Sequence, residues 1–98
     1  MPIAAPHYRL ISILAAGAPE QPGVYALWHD DEMIYLGRAA SIRQRLADHL
    51  QRSDSPCLLD ATHYTWELAL HPEAREAELL EQFRRRYGRL PRCNGKAA

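Results

Sequence analysis

The chain has 98 residues, enough for one domain with a single core. Twelve basic and twelve acidic side chains cancel at pH 7, so no global field draws the protein onto nucleic acid or a membrane surface, and any polyanion site has to be local. Two cysteines, Cys57 and Cys93, lie far apart without a C-x-x-C spacing, and none of the five histidines stands at ligand spacing from either. That pattern argues against a structural zinc site or disulfide and reads as reduced thiols in a cytoplasmic protein. No charged segment followed by an apolar run opens the chain, and its longest apolar stretch, Leu10 to Ala18, is too short to cross a bilayer.

In chain order, Arg9 to Ala16 reads as a short helix ended by Gly17, after which Pro19 and Pro22 impose an extended approach to the first strand. Tyr25–His29 and Met33–Gly37 carry the aromatic and aliphatic residues of paired strands, with His29 to Glu32 as turn chemistry between them. Ser41 is a good N-cap for a helix from Ile42 to about Gln51, whose stripe is Ile42, Leu46 and Leu50. A polar loop ends at Pro56, and Thr62 to Leu70 alternates as a further strand. Pro72 suits the first turn of a last helix, which Gly88 stops. Trp28, Trp66, Tyr64 and Phe83 read as core. The order helix, strand, strand, helix, strand, helix defines one small α+β domain over residues 1–98, with an N-terminal helix and linker over 1–21, a core over 22–94 and a tail over 95–98.

Two triplets stand out. Gly23-Val24-Tyr25 and Tyr35-Leu36-Gly37 fall on the two paired strands, so a hairpin can set their phenols side by side. A lone tyrosine at a sheet margin is ordinarily packing with a wet hydroxyl, and two bracketed by glycines leave that open. On the last helix, Glu76 lies within the stripe formed by Leu79, Leu80, Phe83 and Tyr87. A carboxylate on that side needs a cation or donors, either an arginine such as Arg45 or a bound metal.

The segments Pro22-Gly-Val-Tyr25, Tyr35-Leu-Gly-Arg-Ala-Ala-Ser-Ile-Arg-Gln-Arg-Leu-Ala-Asp-His49 and Leu90-Pro-Arg-Cys-Asn94 closely resemble the GIY-YIG nuclease domain, in the right order and over nearly the whole chain. The resemblance implies a three-stranded antiparallel sheet flanked by helices and an endonuclease that hydrolyses phosphodiester bonds in DNA with one divalent ion, Mg²⁺ or Mn²⁺. By position it implies Tyr25 and Tyr35 as the motif tyrosines, Arg45 as the arginine ten residues past the second, Glu76 as the metal ligand and Asn94 as the closing asparagine. Family members commonly place the glutamate nearer the asparagine, and that shorter spacing makes Glu81 the alternative. Glu76 is preferred because Leu79, Leu80 and Phe83 follow it in register and Glu81 falls on the solvated face.

Each residue type answers a requirement of the chemistry. Attack on phosphorus needs a deprotonated water, neutralised nonbridging oxygens and a stabilised leaving oxyanion. Tyr25 is the candidate base, with Tyr35 aligning it, although a phenol whose ordinary pKa is about 10 needs tuning for that role. Arg45 offers a planar fork for the scissile phosphate. His49, one turn later, can bond a phosphate, shuttle a proton or cap its helix. Asn94 can orient the water network or fix the tail through backbone bonds. Arg38, Arg43, Arg89 and Arg92 are candidate nucleic-acid contacts, while Arg84, Arg85 and Arg86 read as a solvated face complementing the negative helix end. The substrate class spans branched and damaged DNA and RNA, with a protein partner or a homo-oligomer supplying specificity and no membrane involved. The competing reading is a nucleic-acid-binding or partner-binding module that keeps the fold with little turnover.

Overall fold

The computed structural model describes residues 3, 7–10, 12–51 and 56–94. Seven main elements follow in order: β1 (Tyr8–Arg9), α1 (Ser12–Ala15), β2 (Gly23–His29), β3 (Glu32–Ala39), α2 (Ile42–Gln51), β4 (His63–Leu68) and α3 (Pro72–Tyr87). A 3₁₀ turn at Leu58–Asp60 precedes β4. The sheet is antiparallel with strand order β1-β4-β2-β3. It has four strands rather than the three expected, because Tyr8 and Arg9 pair with Tyr64 and His63 where the sequence suggested the start of a helix. The helix that follows is correspondingly short.

Local chemistry explains the other boundaries. Asp30 and Asp31 make the β2–β3 turn, and Asp30 takes a φ of 52°, a left-handed conformation that Asp tolerates better than most residues. The Ser41 hydroxyl accepts from Gln44 N–H at 3.3 Å, capping α2 as its position suggested. Gly88 ends α3 in the left-handed region at φ 73°, its N–H donating to Arg84 O.

Strand periodicity sorts the core onto two faces. On one face Tyr25, Leu27, Ile34 and Tyr64 pack with Ile42 and Leu46 of α2, Ala15 of α1 and Leu58. On the other, Val24, Ala26, Trp28 and Leu36 pack with Leu79 of α3 and with Ile3. The buried Trp28 indole donates to Thr65 Oγ1 at 2.9 Å, which removes the penalty of burying both polar groups. Trp66 and Phe83, expected in the core, are only partly covered. β3 is the outer strand on the side away from β1, and a register shift opposite Leu27 and Trp28 accommodates one extra residue in it.

The cysteines correct the expectation of reduced thiols. Cys57 and Cys93 form a disulfide with Cα atoms 5.7 Å apart and a sequence separation of 36. It ties the segment before the 3₁₀ turn to the tail that runs past β3. Among the described residues, no helix is long and apolar enough to cross a membrane.

Candidate active site

Three rings converge on the α2 side of the hairpin. Tyr25 is brought up by β2, Tyr35 by β3 and His49 by the last turn of α2. Ring centroids are 6.0 Å apart for Tyr25–Tyr35, 5.5 Å for Tyr25–His49 and 5.9 Å for Tyr35–His49. The Tyr25 hydroxyl lies 2.8 Å from His49 Nε2. Gly37 faces Tyr25 across the strand pair, and a Cβ there would lie 2.8 Å from the Tyr25 hydroxyl and 2.9 Å from both Tyr25 Cζ and Tyr35 Cε2. The second triplet therefore ends in glycine for lack of space between the two rings. Gly23 has a similar reason at the other end, where a Cβ would lie 2.3 Å from Glu67 O and 2.8 Å from Ile42 Cδ1.

The electrostatics of this trio are specific. Burial pushes the Tyr25 phenol well above its ordinary value, the neighbouring Tyr35 phenol adds to this, and the Arg45 guanidinium beside it opposes. Burial also holds His49 below the ordinary imidazole value, with the Arg45 charge adding and Asp48 opposing. Near neutral pH the pair is thus a protonated phenol and a neutral imidazole, an arrangement in which the hydroxyl donates to Nε2. Arg45, exposed on α2, is itself favoured in its charged form chiefly by Tyr25.

A second group sits across β3. Arg38 belongs to the opposite face from Tyr25, since its strand partner is Val24. Its Nη1 donates to Glu76 Oε1 at 2.9 Å, the Arg38 side chain half exposed and the Glu76 side chain 18% exposed. The carboxylate embedded in the apolar stripe is therefore satisfied by an arginine, and that arginine is Arg38 rather than Arg45. Glu81 points elsewhere: Arg84 holds it at 2.6 Å and Arg85 at 3.2 Å. The side chain of Asn94 lies along the outside of β3, its Oδ1 accepting from Leu36 N–H at 3.0 Å and its Nδ2 donating to Leu36 O at 2.9 Å. An amide making this two-point contact mimics another strand, which is the backbone-fixing use considered for it above.

The structure thus brings Tyr25, Tyr35, Arg45 and His49 together on one face, and Arg38 with Glu76 on the other, with Asn94 at the edge between. The remaining candidate arginines are engaged elsewhere. Arg43 donates to Ala18 O at 2.7 Å and pairs with Glu20 at 2.8 Å, tying α2 to the preceding loop. Arg89 lies over the Phe83 ring at 5.6 Å and bonds Leu90 O. Arg92 pairs with Asp60 at 3.3 Å and Glu32 at 3.4 Å, at the turn end of β3, remote along the strand from Arg38. The link between Tyr25 and His49 and the pairing of Asn94 with Leu36 were not legible in advance. Strand parity held a signal for Arg38, because the residue after Gly37 must face away from the tyrosines.

A family model described as the GIY-YIG catalytic domain matches residues 21–88. The chain belongs to this family and is a GIY-YIG nuclease domain. The UvrABC system protein C of Aquifex aeolicus is 30% identical over 90 residues, 84% of this chain and 16% of that protein. The corresponding protein of a Hydrogenobaculum species is 41% identical over 44 residues, 45% of this chain and 8% of that one. The chain therefore spans less than a fifth of the length of these relatives. The fold is shared with the crystal structure of the N-terminal endonuclease domain of UvrC from Thermotoga maritima bound to its catalytic divalent cation, magnesium: TM-score 0.57, 23% identity, 76% of this chain and 86% of that chain covered. A point mutant of the same domain aligns with TM-score 0.59 at 22% identity, over 79% of this chain and 88% of that one.

Proposed function

We propose that this domain nicks DNA by hydrolysing one phosphodiester bond with the help of one divalent cation, Mg²⁺ or Mn²⁺, held by Glu76, the scissile phosphate lying across the outer edge of β3 at Gly37 and Arg38 so that groups from both faces of the sheet reach it. The observation that carries this reading is the Tyr25–His49 hydrogen bond at 2.8 Å inside a trio completed by Tyr35 and bordered by Arg45. A raised phenol is a weak base alone. With a neutral imidazole already accepting its proton, Tyr25 can take a proton from the attacking water as its own passes to His49 Nε2, so no free phenolate accumulates. Tyr35 fixes the Tyr25 ring, and Arg45 offers its donors to the nonbridging oxygens as charge develops there.

Glu76 suits a hard cation that keeps most of its waters. It is a single carboxylate with partial access to solvent, and among the described residues no three His, Cys, Asp or Glu side chains gather into a cage. When bound, such a cation supplies charge neutralisation at the phosphate and the leaving oxygen. Arg38 must leave Glu76 first, and a DNA phosphate is the natural alternative partner for its guanidinium. Removing that competitor by Arg38→Gln is expected to raise the affinity for Mn²⁺ alone roughly 2–5-fold, in line with an exposed ion pair of about 0–1 kcal/mol. Calorimetric titration without DNA checks this, and unchanged affinity would show that Arg38 does not compete.

The central test is nicking of supercoiled plasmid with Mg²⁺ or Mn²⁺. Tyr25→Phe is expected to lower the rate by roughly 10²–10⁴-fold. Protein that binds plasmid yet never nicks it above background would establish the binding-module reading instead. The His49 role sets a pH dependence. A lowered imidazole pKa means the unfolded chain takes up a proton before the folded one does, so this contribution to stability is complete above about 6.5 and lost as pH falls towards the folded value. Cleavage is expected to follow the same limb, rising with pH through an inflection below 6.5. His49→Gln should remove that inflection, and an unaltered profile would exclude His49 as the acceptor.

A cytoplasmic setting, and a partner or second copy that contributes specificity, complete the proposal. The domain boundaries we adopt are residues 22–94 for the catalytic core.

A further inference from the structure

We propose that the Cys57–Cys93 disulfide is a thiol-exchange site, at which a dithiol reductant opens the tail that holds the outer edge of β3. The two sulfurs are unequal. Cys93 is fully buried, whereas Cys57 is partly exposed and its Sγ lies 3.9 Å from Arg92 Nη1. An incoming thiolate therefore reaches Cys57 first.

The external thiolate forms a bond to Cys57 Sγ while the Cys57–Cys93 bond breaks, and Cys93 leaves as a thiolate that is then protonated. The second thiol of the reductant attacks its own sulfur in the mixed disulfide, closing the reductant into a disulfide and releasing Cys57. Two electrons and two protons pass from the dithiol to the protein. Arg92, adjacent to Cys57 Sγ, favours the Cys57 thiolate both as it departs and as it attacks on reoxidation.

What the bond controls is visible in its neighbours. Cys93 N–H donates to Ile34 O at 2.8 Å, and Asn94 N–H donates to Pro91 O at 2.9 Å, which folds the tail so that the Asn94 amide meets both backbone groups of Leu36. Leu36 lies between Tyr35 and Gly37. The disulfide thus anchors, one residue away, the group that fixes the backbone under the ring trio. With the bond open, the tail is held to β3 by hydrogen bonds alone, and edge-strand hydrogen bonds without covalent support open locally.

The exchange stands apart from the nuclease reading, and only its effect on cleavage rests on that reading. The test measures thiol titre and backbone amide exchange in the purified full chain, oxidised and after dithiothreitol. Oxidised protein should carry no free thiol and reduced protein two. Reduction should speed exchange of the Leu36 and Cys93 amides at least 10-fold while Ala26, between β3 and β4, changes far less. Incubated with oxidised glutathione, Cys93→Ser should take up one glutathione at Cys57, and Cys57→Ser should take up little at Cys93. Two free thiols under oxidising conditions, or identical Leu36 exchange in both states of the wild type, would overturn the proposal. Loss of nicking with no change in amide exchange would place the fault in the latch and leave the nuclease reading intact.

Discussion

Glu76→Gln is expected to leave the protein folded and to lower cation-dependent nicking on the order of 10³-fold, while Glu81→Gln stays within a few-fold of wild type. The fold survives because the lost ion pair is half exposed on the arginine side, and such pairs contribute about 0–1 kcal/mol. Activity falls because a neutral amide binds a hard divalent cation far more weakly than a carboxylate does. Glu81 has the shorter spacing to Asn94 in its favour, yet it lies on the outer face of α3 between Arg84 and Arg85. Glu76 on α3 instead bonds Arg38, the strand neighbour of Gly37. Plasmid nicking by the two variants, with circular dichroism to verify folding, separates them. Loss of activity in Glu81→Gln alone would move the cation to Glu81 and remove Arg38 from the metal's account.

Gly37→Ala is expected to damage both stability and turnover, although the change is a single methyl group. That methyl would sit 2.8 Å from the Tyr25 hydroxyl and 2.9 Å from Tyr35. Both rings belong to the packed face of the sheet, so relief requires moving them or the strand. Overpacking of this kind costs about 1–3 kcal/mol, which in a domain of this size lowers the melting temperature by roughly 4–8 °C per kcal/mol. Displacing the Tyr25 oxygen from His49 by even part of an ångström should lower nicking by about 10²-fold. Gly17→Ala is the matched control, since a Cβ there meets only Leu14 O at 3.4 Å. A Gly37→Ala protein as stable and active as wild type would show that the ring trio is looser than its spacing implies.

Much of this arrangement could be read from the residues, and what could not has a physical cause. The hairpin, α2 with its Ser41 cap and α3 from Pro72 to Gly88 announce themselves because period, caps and turn residues agree at each. The clustering of Tyr25, Tyr35, Arg45 and His49 follows from two adjacent strands and the helix that returns over them. β1 escaped notice because two residues carry no periodicity, and their pairing depends on Tyr64 and His63 more than 50 positions away. The disulfide had no local mark, since a sequence separation of 36 says nothing of the distance between its cysteines in space. Arg43 and Arg92 looked like free cations because Glu20, Glu32 and Asp60 reach them only in the folded chain. Glu76 stands out in an apolar stripe, but which arginine meets it, Arg38 and not Arg45, depends on the face of the sheet that α3 covers.

The amide of Asn94 has a consequence for how copies of this protein meet. The outermost strand of a sheet presents a row of unsatisfied donors and acceptors, which any other extended chain can use as a template for aggregation. Here that row is already spoken for at Ile34 O and at both backbone groups of Leu36. A second molecule therefore cannot extend the sheet along the middle of β3 without first peeling the tail away. Pairing of two copies along this stretch of β3 thereby becomes a property of tail-released molecules.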